Sequence, residues 1–247
     1  MAAVLLAGLG AGTINTVVGS GTLITFPTLL AFGVPPVTAN VSNTIGLVPG
    51  VASGVWGYRR ELEGQLGRTV RLGSASLLGG VVGAVLLLSL PSSAFSAIVP
   101  ALIVVGLMLV VLQPRISRWV DARHEGARAA NGPWWVWPAV LLSGVYGGYF
   151  GAAQGVIIMG VLGIGIAETL QRLNGLKNVL AGLVNGVAGV IFALVADVDW
   201  NVVLLLAVGS VIGGQVGATV GRRLPPTVLR VVIVVIGLVA LAVFLLR

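Results

Sequence analysis

The chain has 247 residues, of which 57% are hydrophobic and 9% are charged, and its mean hydropathy is +1.08. This leaves too little polar surface to cover a soluble globule, so we expect an all-α integral membrane protein. The lack of cysteine and the single His124 exclude disulfides, thiolate nucleophiles and a Cys/His metal cluster, and we expect no metal and no cofactor.

The formal net charge of +7 would indicate a nucleic-acid partner in a soluble protein. Here nearly all basic residues lie in short loops between apolar segments, which is the pattern that orients a membrane protein. We therefore expect membrane lipid as a partner, no nucleic acid, and a multi-pass location in the cell inner (plasma) membrane. The N-terminal stretch MAAVLLAGLGAG has no basic residue before its apolar part, so we expect it to belong to the mature fold.

Residues 1–58 contain no Asp, Glu, Lys or Arg. Within them, residues 3–32 are apolar but interrupted by the run Gly19-Ser20-Gly21-Thr22, and at about 1.5 Å per residue they are too long for one straight crossing. They predict a re-entrant helical hairpin that turns near Gly19 to Gly21. A span over residues 38–58 follows and carries polar residues near one end.

A basic loop at residues 59–71 leads to two plain spans, residues 72–90 and 95–112. Residues 114–133 form the longest polar stretch and the only candidate linker, after which Trp134, Trp135 and Trp137 mark a membrane interface. We therefore assign residues 1–113 to a first membrane repeat, residues 114–133 to a basic cytoplasmic linker, and residues 134–247 to a second membrane repeat.

The second half of the chain resembles the first in sequence. A shift of 134 residues places Asn40 on Asn174, Leu90-Pro91 on Leu224-Pro225, and Gly79, Gly80 and Gly83 on Gly213, Gly214 and Gly217. A shift of 136 places Gly8, Gly12 and Gly19 on Gly144, Gly148 and Gly155. These matches predict two homologous halves with about eight hydrophobic segments in all. We expect Gly79, Gly83, Gly213 and Gly217, which have helical spacing, to serve helix packing.

Loop charge discriminates between two arrangements of the halves. Four full spans in each half would make the halves parallel and divide the arginines between both membrane faces. If residues 3–32 and 134–163 are instead re-entrant hairpins, each half has three crossings, the halves are inverted, and the loop arginines share one face. The positive-inside rule favours the inverted arrangement. The loop charges alone leave open whether the glycine-rich segments span or re-enter.

The residues around the two glycine-rich breaks resemble a known family. The stretch VVGSGTLITFPTLLAFGVPPVTANVSNT is similar to the first signature of the sulfite exporter TauE/SafE family, and GVYGGYFGAAQG with LNGLKNVLAGLVN is similar to its second. Many members have consecutive glycines where this chain has Gly19-Ser20-Gly21-Thr22 and Ala152-Ala153-Gln154-Gly155. The resemblance implies a membrane permease for a small anion, often sulfite, an organosulfonate or a related sulfur compound, and working as an exporter.

Physical chemistry supports an anion site at the breaks independently. A hairpin turn leaves helix N–H groups unpaired inside the membrane, and together with the helix dipole they favour a negative ligand, which glycine allows to approach closely. The chain's only lysine, Lys177, lies just beyond the second break. The candidate substrate-binding residues are Asn15, Ser20, Gly21, Thr22, Asn40, Asn43, Thr44, Gln154, Gly155, Asn174, Lys177 and Asn178.

Each candidate also has a structural alternative. Asn and Thr inside spans often cap helices or bond the backbone, and Lys177 could extend its stem to the membrane interface. Two other functions compete with the transporter. A membrane-embedded enzyme is disfavoured because the sequence offers no paired carboxylates, buried histidine or cysteine, so we expect no catalytic residues. A scaffold or assembly subunit without a substrate remains the alternative, and the sequence leaves open ion coupling and whether the chain forms a homo-oligomer.

Overall fold

The computed structural model describes residues 1–121, 132–220 and 226–245. Over these ranges the secondary structure is entirely helical, as the composition predicts. One short 3-10 turn, Arg59–Leu62, precedes the fourth of the ten α-helices found there. The helices are α1 Ala2–Val17, α2 Thr22–Ala31, α3 Pro36–Gly57, α4 Leu66–Ser89, α5 Ser92–Asp121, α6 Val136–Tyr149, α7 Gln154–Gly165, α8 Leu170–Val195, α9 Trp200–Thr219 and α10 Pro226–Leu245.

Within the described part of the chain, four helices are long and apolar enough to cross a membrane. They are α4, α5 over Ser92–Arg115, α8 and α9. This confirms the prediction of an all-helical membrane protein. By contrast α2 has 10 residues and α7 has 12, so each is only about 15 to 18 Å long, roughly half the hydrocarbon thickness of a bilayer.

The chain reverses between α1 and α2, where the sequence predicts a hairpin. Gly19 has a φ of +88°, a left-handed conformation that favours glycine. The N–H of Gly21 then donates to Asn15 Oδ1 at 2.6 Å. A Cβ at Gly21 would overlap the carbonyl oxygen of Ala11, so α2 returns closely along α1.

A second reversal lies between α6 and α7. Gly151 and Ala153 both have positive φ, at +75° and +64°, and the hydroxyl of Tyr146 donates to the carbonyl of Ala152 inside the turn. At the far end of α7, Gly165 packs directly on the side chain of Val136, so α7 runs back along α6. Both predicted breaks are therefore helical hairpins.

Each hairpin packs on a helix from the opposite half of the sequence. Gly213 of α9 lies against the carbonyl of Leu9 in α1, and Gly79 of α4 lies against the carbonyl of Leu141 in α6. Gly83 and Gly217 make the same kind of contact one turn further along. A Cβ at any of these four glycines would clash with backbone, which confirms that they serve helix packing.

These contacts relate α1 to α6 at a different shift from the glycine matches. Gly79 and Gly213 differ by 134 positions, which is the shift that matches the two halves in sequence. Their packing partners Leu9 and Leu141 differ by 132 positions. The matches of Gly8 and Gly12 at a shift of 136 are therefore displaced by about one helical turn. A stripe of glycines repeats every turn, so its register is weakly determined by sequence alone.

Two predicted loops are shorter than expected. The basic loop at residues 59–71 is largely helical, because the 3-10 turn occupies Arg59–Leu62 and α4 already begins at Leu66. The expected linker at 114–133 begins inside α5, which continues to Asp121. The rest of that linker, residues 122–131, and Arg222 and Arg223 lie outside the described residues.

An aromatic cluster holds the second hairpin turn in place. The rings of Phe26 in α2 and Phe150 in the α6–α7 turn meet edge to face with centroids 5.1 Å apart. Phe95 of α5 packs on both, at 6.4 Å from Phe26 and 6.1 Å from Phe150. Such pairs are worth about 0.5–1.5 kcal/mol beyond the area that they bury. The cluster therefore connects the first hairpin, α5 and the second turn.

Candidate functional site

The two hairpin turns touch each other through their backbones. The N–H of Gly155 donates to the carbonyl oxygen of Gly19 at 3.0 Å. A Cβ at Gly155 would lie 2.5 Å from the Cα of Gly19, a distance at which one of the two backbones would have to move. Glycine is therefore required here because two backbone segments approach closely, and not only because of a positive φ.

A small polar cavity adjoins this contact. Its volume is about 20 Å³, which is roughly the room that one water molecule needs. Both turns contribute to its walls, together with α3 and α8, and none of the described residues that line it is acidic or basic. The lining residues are Asn15, Thr16, Gly19, Thr22, Val51, Gly151, Gln154, Gly155, Asn178, Ala181 and Asn185.

Gln154 presents an unused donor at this cavity. It is the first residue of α7 and its side chain, 3% exposed, lies over the Cα of Gly147, where any Cβ would overlap it. Within the described structure its Nε2 atom is buried without a hydrogen-bond partner. A buried donor without a partner costs about 1–3 kcal/mol, which a ligand that accepts the hydrogen bond would recover.

Helix α8 contributes a polar face to the same cavity. Asn178, Ala181 and Asn185 all line it, and their spacing of three and four residues places them on one side of the helix. The Nδ2 atom of Asn178 also donates to the carbonyl of Thr16 at 3.2 Å. Asn185 was not among the predicted site residues, although its position seven residues after Asn178 could have indicated it.

Lys177 is fully buried, at 0% exposure, and faces the end of α1. Its Nζ atom donates to the carbonyl oxygens of Asn15 at 3.0 Å and Thr16 at 3.2 Å. The Nδ2 atom of Asn174 donates to the same Thr16 oxygen at 3.1 Å and to the hydroxyl of Tyr58 at 2.8 Å. Lys177 does not line the cavity, although the two residues that it bonds, Asn15 and Thr16, both do.

Three of the first-half candidates bond other groups of the protein. Asn40 Nδ2 donates to the carbonyl of Tyr149, the last residue of α6, at 2.9 Å. The hydroxyl of Thr44 donates to the carbonyl of Asn40 at 2.9 Å. Asn43 donates to Thr22 Oγ1 at 3.3 Å and accepts from the hydroxyl of Thr25. Asn40 therefore caps a helix and Thr44 bonds the backbone, which are the structural roles that the sequence left as the alternative.

The structure brings part of the predicted set together. Five predicted residues line the cavity: Asn15, Thr22, Gln154, Gly155 and Asn178. The other seven do not line it: Ser20, Gly21, Asn40, Asn43, Thr44, Asn174 and Lys177. Of these, Ser20 is buried, and its hydroxyl has no hydrogen-bond partner within the described ranges. Six further residues line the cavity and were not among the predicted substrate-binding residues: Thr16, Gly19, Val51, Gly151, Ala181 and Asn185.

The acidic group nearest in sequence to the site belongs to a separate ion-pair network. Glu168, in the α7–α8 loop, pairs with Arg172 at 3.0 Å and Arg68 at 3.5 Å. Partial burial raises the pKa of Glu168, but the Thr169 N–H and the two arginines outweigh it, so the pKa lies below its usual value. Glu168 does not line the cavity. Across the described ranges, no group of three or more His, Cys, Asp or Glu residues could hold a metal ion.

Helices of membrane length and two helix breaks that line one polar cavity are the features of a membrane transporter. The comparison with known families agrees with this class. The chain matches the model of the family described as sulfite exporter TauE/SafE over residues 4–245. The chain therefore belongs to the sulfite exporter TauE/SafE family.

Curated relatives carry names of the same class. The chain is 28% identical over 237 residues to a probable membrane transporter protein, ORF9, of Sinorhizobium sp., covering 96% of this chain and 88% of that one. It is 24% identical to a probable membrane transporter protein of Haemophilus influenzae, covering 96% of this chain and 91% of the relative. It is 23% identical to the probable membrane transporter protein YfcA of Escherichia coli K12, covering 93% and 83%. No solved structure matches the chain.

Proposed function

We propose that this protein exports a small anion, with sulfite, an organosulfonate or a related sulfur compound as the substrate class. The observation that carries the proposal is the buried Nε2 atom of Gln154, which lacks a partner and belongs to a residue that lines the cavity. A donor without an acceptor favours a ligand that brings acceptor oxygens. No carboxylate among the described lining residues would repel such a ligand.

The polarity of the half-helices supports an anion over a cation. Thr22 and Gln154 are the first residues of α2 and α7, and both line the cavity, so two helix N-termini and their partial positive charges are directed towards it. The C-terminal ends of α1 and α6, which carry partial negative charge, are instead covered by donors of the protein. Lys177 and Asn174 donate to the last carbonyls of α1, and Asn40 donates to the last carbonyl of α6.

The cavity volume implies that loading requires movement. A space of about 20 Å³ admits roughly one water and is too small for sulfite or a sulfonate. The direct contact between Gly19 and Gly155 forms part of its wall, and one hydrogen bond joins them. We propose that the two turns separate when substrate enters, as in transporters that rock one repeat against the other.

We further propose that the chain consists of two inverted repeats, residues 1–113 and 134–247, with re-entrant hairpins. Two exchanged contacts support this arrangement. Asn40 caps α6 of the second half, and Asn174, which lies 134 positions later, caps α1 of the first half. The packing is also exchanged between the halves: α1 of the first half packs on α9 of the second, and α6 of the second half packs on α4 of the first. With three crossings per half, and with the protein in the inner (plasma) membrane, the basic loops would all lie on the cytoplasmic side.

Such a transporter needs no energy source other than the membrane potential. A potential that is negative inside drives anions outward with about 2.3 kcal/mol per charge per 100 mV. Purified protein in proteoliposomes, tested with sulfite, sulfate, thiosulfate, taurine and sulfoacetate, should move at least one of these anions at a rate that rises with the imposed potential. Protein-free vesicles are the control. Absence of flux for every anion, from protein that is correctly folded, would favour a scaffold or assembly subunit.

A further inference from the structure

The end of α1 is an oxygen cage filled by a side chain of the protein itself. The carbonyls of Asn15 and Thr16 lie in the last turn of α1 and have no partner within that helix. Lys177 Nζ reaches both, and Asn174 and Asn178 add their amide donors to the Thr16 oxygen at 3.1 and 3.2 Å. Three donors from α8 therefore converge on one peptide of α1.

This cage has the chemistry of a cation site. In transporters with broken helices, unwound carbonyls and the C-terminal ends of half-helices coordinate the coupling cation next to the substrate. Here an ammonium group occupies that place, and its partners are carbonyl oxygens alone. Within the described ranges, the two hydrogen bonds of Lys177 Nζ go to backbone carbonyls and neither goes to a carboxylate. An ammonium at Lys177 is therefore balanced by the dipole of α1 and not by a carboxylate, and it attracts an anion in the cavity across the end of α1.

Only one half of the protein carries this charge. The residue that precedes Lys177 by 134 positions is Asn43, which bonds Thr22 and Thr25 in its own half. The end of α6 is met by the neutral amide of Asn40 at the carbonyl of Tyr149. The site thus has one basic side chain, placed asymmetrically at the first turn.

We propose that Lys177 is a built-in substitute for a coupling cation, so that this protein binds its anion without sodium. The proposal rests on the proposed function. Lys177 is a positioning residue here, because it acts through the end of α1 and does not touch the cavity. If its side chain is removed, the oxygen cage of Asn15 and Thr16 becomes open to a free cation.

The experiment replaces the side chain and then supplies a cation. Wild-type protein should bind sulfite equally well in sodium and in choline medium. Lys177→Ala should bind it roughly tenfold to a hundredfold more weakly in choline, since the positive charge that acts on the anion across the end of α1 is lost. Added sodium or a short alkylammonium such as propylammonium should restore several-fold of this affinity. Lys177→Met is the matched control, because its side chain fills the same space with an apolar group and leaves no room for the cation.

A second readout does not depend on substrate. Propylammonium or sodium should raise the unfolding temperature of Lys177→Ala and leave that of the wild type and of Lys177→Met unchanged. Lys177→Gln, which keeps a donor for the end of α1 without a charge, covers the case in which alanine prevents folding. It should fold and still show the weaker sulfite binding.

Four results would overturn the inference: a sodium requirement in the wild type, unchanged sulfite affinity in Lys177→Ala, wild-type affinity in Lys177→Gln, or folded Lys177→Ala that no cation stabilises or rescues. Failure of the wild type to bind any of the anions would count against the proposed function. In that case the thermal measurement still decides whether the cage accepts a cation.

Discussion

The N–H of Gly155 and the carbonyl of Gly19 form a 3.0 Å hydrogen bond between two helix breaks that lie far apart in the sequence. No side chain takes part in this contact, and neither residue has room for one. The bond is the direct connection between the two hairpin turns at the cavity. Any movement that enlarges the cavity by separating the turns must break it.

The first prediction concerns Gly155→Ala. Because the new Cβ would lie 2.5 Å from the Cα of Gly19, the turns must move apart, and we expect a loss of about 1–3 kcal/mol in the free energy of unfolding. Gly186→Ala in α8 is the matched control, since nothing lies within 4 Å of its Cβ, and it should gain about 0.5–1 kcal/mol. Thermal unfolding in detergent measures both. Equal stability of the two variants would contradict the contact.

The second prediction concerns Gln154→Met, which keeps the length of the side chain and removes the unpaired donor. Without substrate, the variant should be more stable than the wild type by up to about 1–3 kcal/mol, because a buried donor without a partner is lost. Its affinity for the anion should fall roughly threefold to tenfold.

Gln215→Met is the control for this test, because it removes a glutamine donor that does have a partner. The Nε2 atom of Gln215 donates to the backbone oxygen of Ser53 at 2.8 Å, so removing it should lower stability and leave anion affinity unchanged. Thermal unfolding and an anion-binding titration of both variants check the pair. A Gln154→Met protein that is less stable than the wild type would show that Nε2 already has a partner.

The glycine-rich breaks illustrate what the sequence could predict. Small residues inside an apolar segment mark a place where the helix ends, and the breaks found between Val17 and Thr22 and between Tyr149 and Gln154 agree with this. Composition and glycine spacing also predicted the helical membrane class and the packing role of Gly79 and Gly213. All of these features depend on local sequence.

Features that depend on the other half of the chain could not be predicted. The position of Lys177 identifies a face of α8, but no spacing rule says that the end of α1 lies opposite it. Thr16 and Gly19 contribute backbone carbonyls, which every residue type has. The register of α1 on α9 is set by backbone contacts, and periodic glycines fit several registers equally well.

The third prediction concerns topology, and the lack of natural cysteine makes single-cysteine labelling straightforward. If the halves are inverted, Glu63→Cys and Val220→Cys should both be protected from an impermeant thiol reagent applied outside intact cells. Ser93→Cys and Asp197→Cys, at the opposite helix ends, should both be labelled. All four positions are exposed, so access depends on the side of the membrane. Labelling of Val220→Cys together with protection of Asp197→Cys would indicate parallel halves.

The fourth prediction concerns the ion pairs of Glu168. Because its pKa is lowered in the folded protein, the carboxylate stabilises the fold above its unfolded pKa, and this contribution is lost as the pH falls through the folded pKa. The unfolding temperature of the wild type should therefore exceed that of Glu168→Gln at neutral pH, and the difference should vanish in acid. Glu63→Gln, an exposed position in the α3–α4 loop, is the control. A difference that is constant with pH would rule out the ion pairs as its cause.

The exchanged packing also determines the order in which this protein can be completed during synthesis. Helix α1 is synthesised well before its packing partner α9, which begins only at Trp200, and the donors that cover its final carbonyls come from α8. Until those helices have been inserted, the end of α1 has unpaired carbonyls that hydrocarbon cannot satisfy. The N-terminal hairpin can therefore complete its packing only after α8 and α9 have been inserted.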